Sequence, residues 1–179
     1  MRRRGATPSV TLPTQPHLRR GTLDDVPRLK ELGVLGWETT YPFIKPENRS
    51  LYLDGPFWSL DRLRSIVTDP GSLTLVADVD KQPVAGFLTI EPVDDTTIEL
   101  TRFYVDPSTR GNGIGIALFD AGRTWSRERG ATSMLVNVFA DNVGGRRFYE
   151  RVGFVLTRLE PYAIGDQIAG DAWYELPLG

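Results

Sequence analysis

The sequence predicts an α/β protein: an α+β mixed sheet with helices on both faces, in the order β-αα-βββ-α-β-α-ββ. Three observations predict it. Residues 73–106 hold three period-two segments joined by short turn signals, the pattern of antiparallel strands. Residues 113–129 switch to the helical period and lead into an apolar run at 133–140, the pattern of a βαβ crossover. The chain has 179 residues, 40% hydrophobic and 25% charged, with no Cys, so a single domain can build a core without disulfides.

The elements follow in order. Residues 1–16 are rich in Arg, Pro and Thr and read as a disordered basic tail ahead of one domain at 17–179. His17 begins a short strand. Asp24 or Asp25 is placed to cap a helix carrying Val26, Leu29, Leu32 and Leu35, closed by Gly36 and Trp37. Residues 38–58 are aromatic and Pro-punctuated and read as a long irregular loop, the kind that carries function. A second helix covers 59–68 and stops at Asp69-Pro70-Gly71. LTLVADVD (73–80) and VAGFLTIEP (84–92) form a hairpin turning at Lys81-Gln82-Pro83, and TIELTRFYVD (97–106) is the third strand. Ile114, Ala117, Leu118, Ala121 and Trp125 share one helix face that ends at Gly130. SMLVNVFA (133–140) is a buried strand, a helix runs from about Asn142 to Arg151, and strands at 154–160 and 171–178 finish the chain.

Composition removes much chemistry. Without Cys there is no thiolate nucleophile or thiolate metal site, and the single His17 leaves no His-rich metal site. No metal is expected. Catalysis must rest on carboxylates, Tyr, hydroxyls, cations, backbone amides or a borrowed cofactor. Residues 21–179 hold sixteen basic against twenty-three acidic residues, a balance of -7, which argues against a nucleic-acid surface. No apolar stretch is long enough for a membrane span or a secretory signal, so the expected compartment is the cytoplasm.

The informative stretch is Glu99–Phe154. Arg110-Gly111-Asn112-Gly113-Ile114-Gly115 lies between a strand and a helix. A Gly-rich turn opening a helix offers free N–H groups at the positive end of the macrodipole, which suits a pyrophosphate. Spacing excludes the P-loop, because no Lys follows. It also excludes the dinucleotide fingerprint, whose third Gly would fall on Ile116. Arg110-x-x-Gly113-x-Gly115 resembles the pyrophosphate motif of the GNAT superfamily of N-acetyltransferases. Ile98-Glu99-Leu100-x-x-Phe103-Tyr104-Val105-Asp106-Pro107 is similar to the strand before that loop. Asn142 with Phe148-Tyr149-Glu150-x-x-Gly153-Phe154 resembles the second signature, and the element order from His17 to Leu178 fits the family fold.

The resemblance implies an acetyl-CoA-dependent N-acetyltransferase that works by direct attack of an amine in a ternary complex. Strands 97–105 and 133–139 would splay to admit the pantetheine arm. The thioester would lie by the Phe103, Tyr104 and Val105 backbone, and the pyrophosphate on Arg110, Gly111, Asn112, Gly113, Ile114 and Gly115. Asn142 would position the cofactor. Tyr149 matches the family's general acid, which protonates the departing thiolate. Glu99 is the candidate base, directly or through water, with Glu91, Asp94 and Asp95 as competitors. Gly145, preceded by Gly144, stands where the family usually has a small residue such as Ala. One of Arg146 and Arg147 is a candidate phosphate contact.

In that family the acceptor site would be framed here by 37–58, Glu99, Thr101 and 160–173, with Trp37, Tyr41, Glu99 and Trp173 as candidate acceptor residues. Aromatic and acidic walls suit a small cationic amine. The competing readings are a protein N-terminal or lysine acetyltransferase, and a non-catalytic acyl-CoA sensor. Either a monomer or a homodimer is compatible with the family.

Overall fold

A computed structural model describes residues 15–80 and 82–179. Most of the expected tail, and Lys81 of the expected turn, lie outside the described residues. Seven strands form one sheet: β1 (His17–Arg20), β2 (Leu73–Val79), β3 (Gln82–Pro92), β4 (Thr97–Val105), β5 (Ser133–Phe139), β6 (Val155–Ile164) and β7 (Gln167–Pro177). Their spatial order is β1-β2-β3-β4-β5-β7-β6, and every neighbouring pair is antiparallel except β4 and β5. Five helices pack on it: α1 (Val26–Thr40), α2 (Pro46–Leu53), α3 (Leu60–Thr68), α4 (Ile114–Glu128) and α5 (Val143–Arg151). Helices α1 to α3 cover one face around Leu29, Leu32, Trp58 and Phe87. Helices α4 and α5 cover the other around Leu118, Phe119, Leu88 and Met134.

The mixed sheet with helices on both faces is as expected, and several local features differ; β3, for one, already begins at Gln82, inside the expected turn. Helix α1 does not close at Gly36 and Trp37 but runs on to Thr40. Gly36 is there for close approach: a Cβ on it would lie 2.3 Å from Cδ1 of Tyr104, and one on Gly33 2.2 Å from Cζ3 of Trp58. Asp25 does not cap α1 with its side chain. Its carboxylate accepts from Arg19 at 2.8 and 2.9 Å and from the Thr22 amide at 2.7 Å. The stretch 38–58 is not one irregular loop, because Pro46 opens α2 at a position where a missing N–H costs nothing. Ser59 caps α3 by accepting from the Arg62 amide at 3.2 Å. The last two strands are also longer than expected and meet in a tight hairpin at Gly165-Asp166. Pro161 is tolerated because β6 is an edge strand.

Two irregularities of β4 shape the site. Thr89 pairs with Arg102 but Ile90 pairs with Leu100, so Thr101 is a bulge with no register partner on β3, although its hydroxyl reaches Thr89 and Glu91 there. On its other side β4 pairs with β5 only at Thr97–Ser133, Ile98–Met134 and Glu99–Leu135. Beyond that point the parallel strands separate, leaving a V between 100–105 and 136–139.

Candidate active site

The V opens into a cleft of ≈ 640 Å³ lined by β4 from Leu100 to Val105, by Val136 to Val138, by the glycine loop and by α5. Backbone groups on the two facing strand edges are free of ladder partners there. At the mouth, Gly111 and Gly113 have φ of +83° and +77°, which glycine adopts without strain. Gly113 is the N-cap of α4, so the amides of Ile114, Gly115 and Ile116 have no acceptor within the helix. Arg110 and Arg151 line the same cleft. Asp106 anchors the loop from below by accepting from Arg28 at 2.6 Å, Gln82 at 2.9 Å and the Ser108 hydroxyl at 2.6 Å.

Tyr149 lies on α5 with its ring edge-on to Phe148 and Phe154. It is buried yet lines the cleft, and its hydroxyl has no hydrogen-bond partner among the described residues. Burial pushes its phenol well above the ordinary value, so the proton stays on the oxygen at neutral pH. Asn142 is the N-cap of α5: its Oδ1 accepts from the Gly145 amide at 2.9 Å, and its Nδ2 donates to the Tyr41 hydroxyl at 3.5 Å. The cap explains Gly145, since a Cβ there would stand 2.7 Å from Nδ2 of Asn142.

A second cavity of ≈ 180 Å³ opens on the α1–α3 face of the sheet. Tyr41, Thr101, Tyr104, Asn137 and Val138 line both spaces, so they form the wall between them. Trp37, Tyr52, Phe57, Phe139 and Tyr162 supply aromatic surface, and Glu99 and Asp171 are its two carboxylates. Trp37 donates to the Tyr104 hydroxyl at 3.1 Å and stacks on Tyr52 at 4.4 Å. Burial pushes the Tyr41 phenol up to about 12. Glu99 makes no hydrogen bond or ion pair within the described chain. Burial, followed by the negative charges of Glu91 and Asp171, raises its carboxyl above the ordinary value. Asp171 is 5% exposed and accepts from Asn137 at 3.1 Å, and burial raises it too.

Most of the sequence-derived residues converge here, with exceptions. Asn112 is exposed and lies outside the cleft lining. Trp173 does not line the small cavity. It shares a sheet face with Asp171, but its indole donates to Glu160 at 2.8 Å and the Arg158 guanidinium lies over its ring. Arg146 is held by the Tyr174 hydroxyl at 2.8 Å and the Ala140 carbonyl at 3.2 Å, and Arg147 is exposed outside the cleft. Arg151, which sequence reading passed over, takes the place inside. Its helical offset of three from Phe148 was the available signal. Asn137 was also missed, although it is the one strongly polar side chain in an otherwise apolar strand.

The fold is shared with acetyltransferases of known structure. Over 91% of this chain and 99% of the other, it superposes with a TM-score of 0.76 on the PaiA N-acetyltransferase of Thermoplasma acidophilum solved with coenzyme A, at 22% identity. The YncA putative acetyltransferase of Salmonella typhimurium, solved with acetyl-CoA, superposes at 0.67 over 93% of this chain and 95% of that one, at 18% identity. The Acetyltransferase (GNAT) family model matches residues 37–154, well over half of the chain. The chain therefore belongs to the GNAT family and is an acetyltransferase. An uncharacterised N-acetyltransferase of Mycobacterium bovis is 27% identical over 69% of this chain and 78% of its own. A mycothiol acetyltransferase of Rhodococcus erythropolis is 35% identical over 48% of this chain and 31% of its own length. No helix among the described residues is long and apolar enough to cross a membrane.

Proposed function

We propose that the protein transfers the acetyl group of acetyl-CoA to a small cationic amine. One observation carries this reading: the strand-lined cleft abuts, across Tyr41, Thr101, Tyr104, Asn137 and Val138, a cavity walled by aromatics and two carboxylates that form no ion pair among the described residues. The cleft residues fit acetyl-CoA. The nearest atoms a Cβ on Gly115 would meet are on Phe103, Phe148 and Val105, at an ordinary 3.7–3.9 Å, so packing does not demand this glycine and an approaching ligand would. The free amides of the α4 first turn, with Arg110 and Arg151, would hold the pyrophosphate. The unpaired edges of 100–105 and 136–139 would take the pantetheine amides as an added strand.

Acetyl-CoA supplies an activated acyl group and a thiolate leaving group. Glu99 would take a proton from the bound ammonium, directly or through water, and so free the nitrogen lone pair that forms the C–N bond; the new N–H, acidified by acylation, then loses its proton to solvent. Tyr149 would donate its proton to sulfur as the C–S bond breaks. A raised carboxyl suits the first task and a fully protonated, unpartnered phenol suits the second.

A protein acceptor would need an open groove. Here α2, which carries the wall residue Tyr52, is fastened to the β6–β7 hairpin, which carries Tyr162 and Asp171: Lys45 and Asn48 donate to Asp166 at 2.6 and 2.9 Å, and Gln167 bridges the Lys45 amide and the Phe43 carbonyl. Tying two wall-bearing elements together limits the width of the cavity, which favours a small molecule. Tyr149→Phe tests the mechanism: kcat should fall by about 10²-fold or more, with acetyl-CoA affinity retained. Unchanged turnover would remove the acid role.

A further inference from the structure

We propose that Asp171 recognises a second ammonium group on the acceptor, so that the cavity selects diamines over monoamines and over amino acids. The inference rests on the amine acetyltransferase reading above and extends it to a substrate class.

The cavity lining contains two carboxylates, Glu99 and Asp171, and no Lys or Arg. The nearby cations are paired with other carboxylates, and their charges reach these two only from a distance. Arg102 is fully buried against the wall residue Phe57, paired with Glu91 at 3.2 Å, donating to the Phe57 carbonyl at 2.5 Å and stacked on the Phe57 ring at 3.8 Å. Arg158 is paired with Glu160 at 2.9 Å. Two like charges in one small cavity repel, and burial makes each costly to keep ionised. An acceptor with a single ammonium leaves one of them uncompensated, whereas a doubly charged acceptor satisfies both.

Glu99 is registered with Leu135, at the apex of the V and two residues from the Thr101 bulge. Asp171 is registered with Phe139, four residues further along β5, or roughly 13 Å at the rise of an extended strand. The two carboxylates therefore enter the cavity from different ends. Between them the aromatic faces of Trp37, Tyr52 and Phe57 suit a chain of methylene groups and the flanks of an ammonium.

Asp171 is also held for such a role. It is 5% exposed, and its Oδ2 accepts from Asn137, which lines both spaces. Glu160 beside it on β6 is occupied by the Trp173 indole and Arg158, leaving Asp171 as the one carboxylate at that end of the cavity. An acceptor bearing its own carboxylate would meet two like charges and no cation.

Three probes with a common carbon chain test the idea: cadaverine, n-pentylamine, and lysine, which is cadaverine carrying a carboxylate. Thiol release is followed at saturating acetyl-CoA. The expected kcat/KM for cadaverine exceeds those for pentylamine and lysine by roughly tenfold or more, the worth of one hydrogen bond between charged groups. Asp171→Asn keeps an oxygen that accepts from Asn137 and should bring the cadaverine-to-pentylamine ratio close to one, through KM. Calorimetric titration with acetyl-CoA verifies that the variant is folded. Equal wild-type values for cadaverine and pentylamine, or an unchanged ratio in the variant, overturn the proposal while the acetyltransferase reading stands. No thiol release with any amine, despite acetyl-CoA binding, overturns both.

Discussion

Gly36→Ala separates the propensity of a helix from the packing of this one. On propensity alone, Ala in the interior of α1 should stabilise by roughly 0.5–1 kcal/mol. In the folded chain the new Cβ would lie 2.3 Å from Cδ1 and 2.8 Å from Cε1 of Tyr104, both well inside ordinary contact. The ring has little freedom to retreat. Its hydroxyl accepts from Trp37 at 3.1 Å, its face stacks on Phe87 at 5.7 Å, and Trp58 stands edge-on at 5.3 Å. Overpacking against such a group costs about 2–3 kcal/mol, the upper part of the usual range. The net expectation is a loss of about 1–2.5 kcal/mol, or a fall in Tm of roughly 3–8 °C for a domain of this size. Gly144→Ala is the internal control: its Cβ would meet nothing nearer than Oδ1 of Asn142 at 3.9 Å, so it should gain a few tenths of a kcal/mol to about 1 kcal/mol. Scanning calorimetry on both variants reads the difference. A Gly36→Ala protein as stable as wild type would refute the claim that this glycine exists to seat Tyr104 between the two spaces of the site.

Three further predictions concern charge and the loop. Glu99 must be ionised to accept a proton and its carboxyl is raised, so kcat/KM should fall as pH drops, along a limb lying above the ordinary carboxylate range near 4.3. Glu99→Gln should abolish that limb and lower kcat, and a limb that persists in the variant would assign it elsewhere. Arg102→Met deletes a fully buried cation from a network holding Glu91 and the Phe57 carbonyl, and should cost about 3 kcal/mol in denaturant unfolding; a loss below about 1 kcal/mol would show that the pair contributes little. Gly113→Val forces a β-branched residue to φ +77° at the N-cap of α4 and should weaken acetyl-CoA binding at least about tenfold by calorimetry, whereas retained affinity would contradict the phosphate-loop assignment.

The elements legible in advance were those whose signal is local. Alternation in 73–106, the helical stripe of 114–128, the glycine loop and the Phe148-Tyr149 segment all state their structure within a few residues. The parts misread depend on what lies opposite. Gly36 looked like a helix stop because nothing local reveals the Tyr104 ring that demands it. Trp173 looked like acceptor wall, yet its partners Glu160 and Arg158 come from the neighbouring strand. Arg146 and Arg151 are indistinguishable by composition, and their helix orientation sends one to Tyr174 and the other to the cleft.

The sequence by itself determined the class of protein, because a phosphate-binding turn needs particular residues at particular spacings along one stretch of chain. The acceptor cavity was decided only by tertiary structure. Trp37, Tyr52, Glu99, Asn137, Tyr162 and Asp171 come from five separate elements, α1, α2, β4, β5 and the β6–β7 hairpin. What places Glu99 and Asp171 in one space is the Thr101 bulge and the separation of β4 from β5 after three paired residues. Strand register and splay are settled by long-range packing on both faces of the sheet, and no short stretch of sequence encodes them.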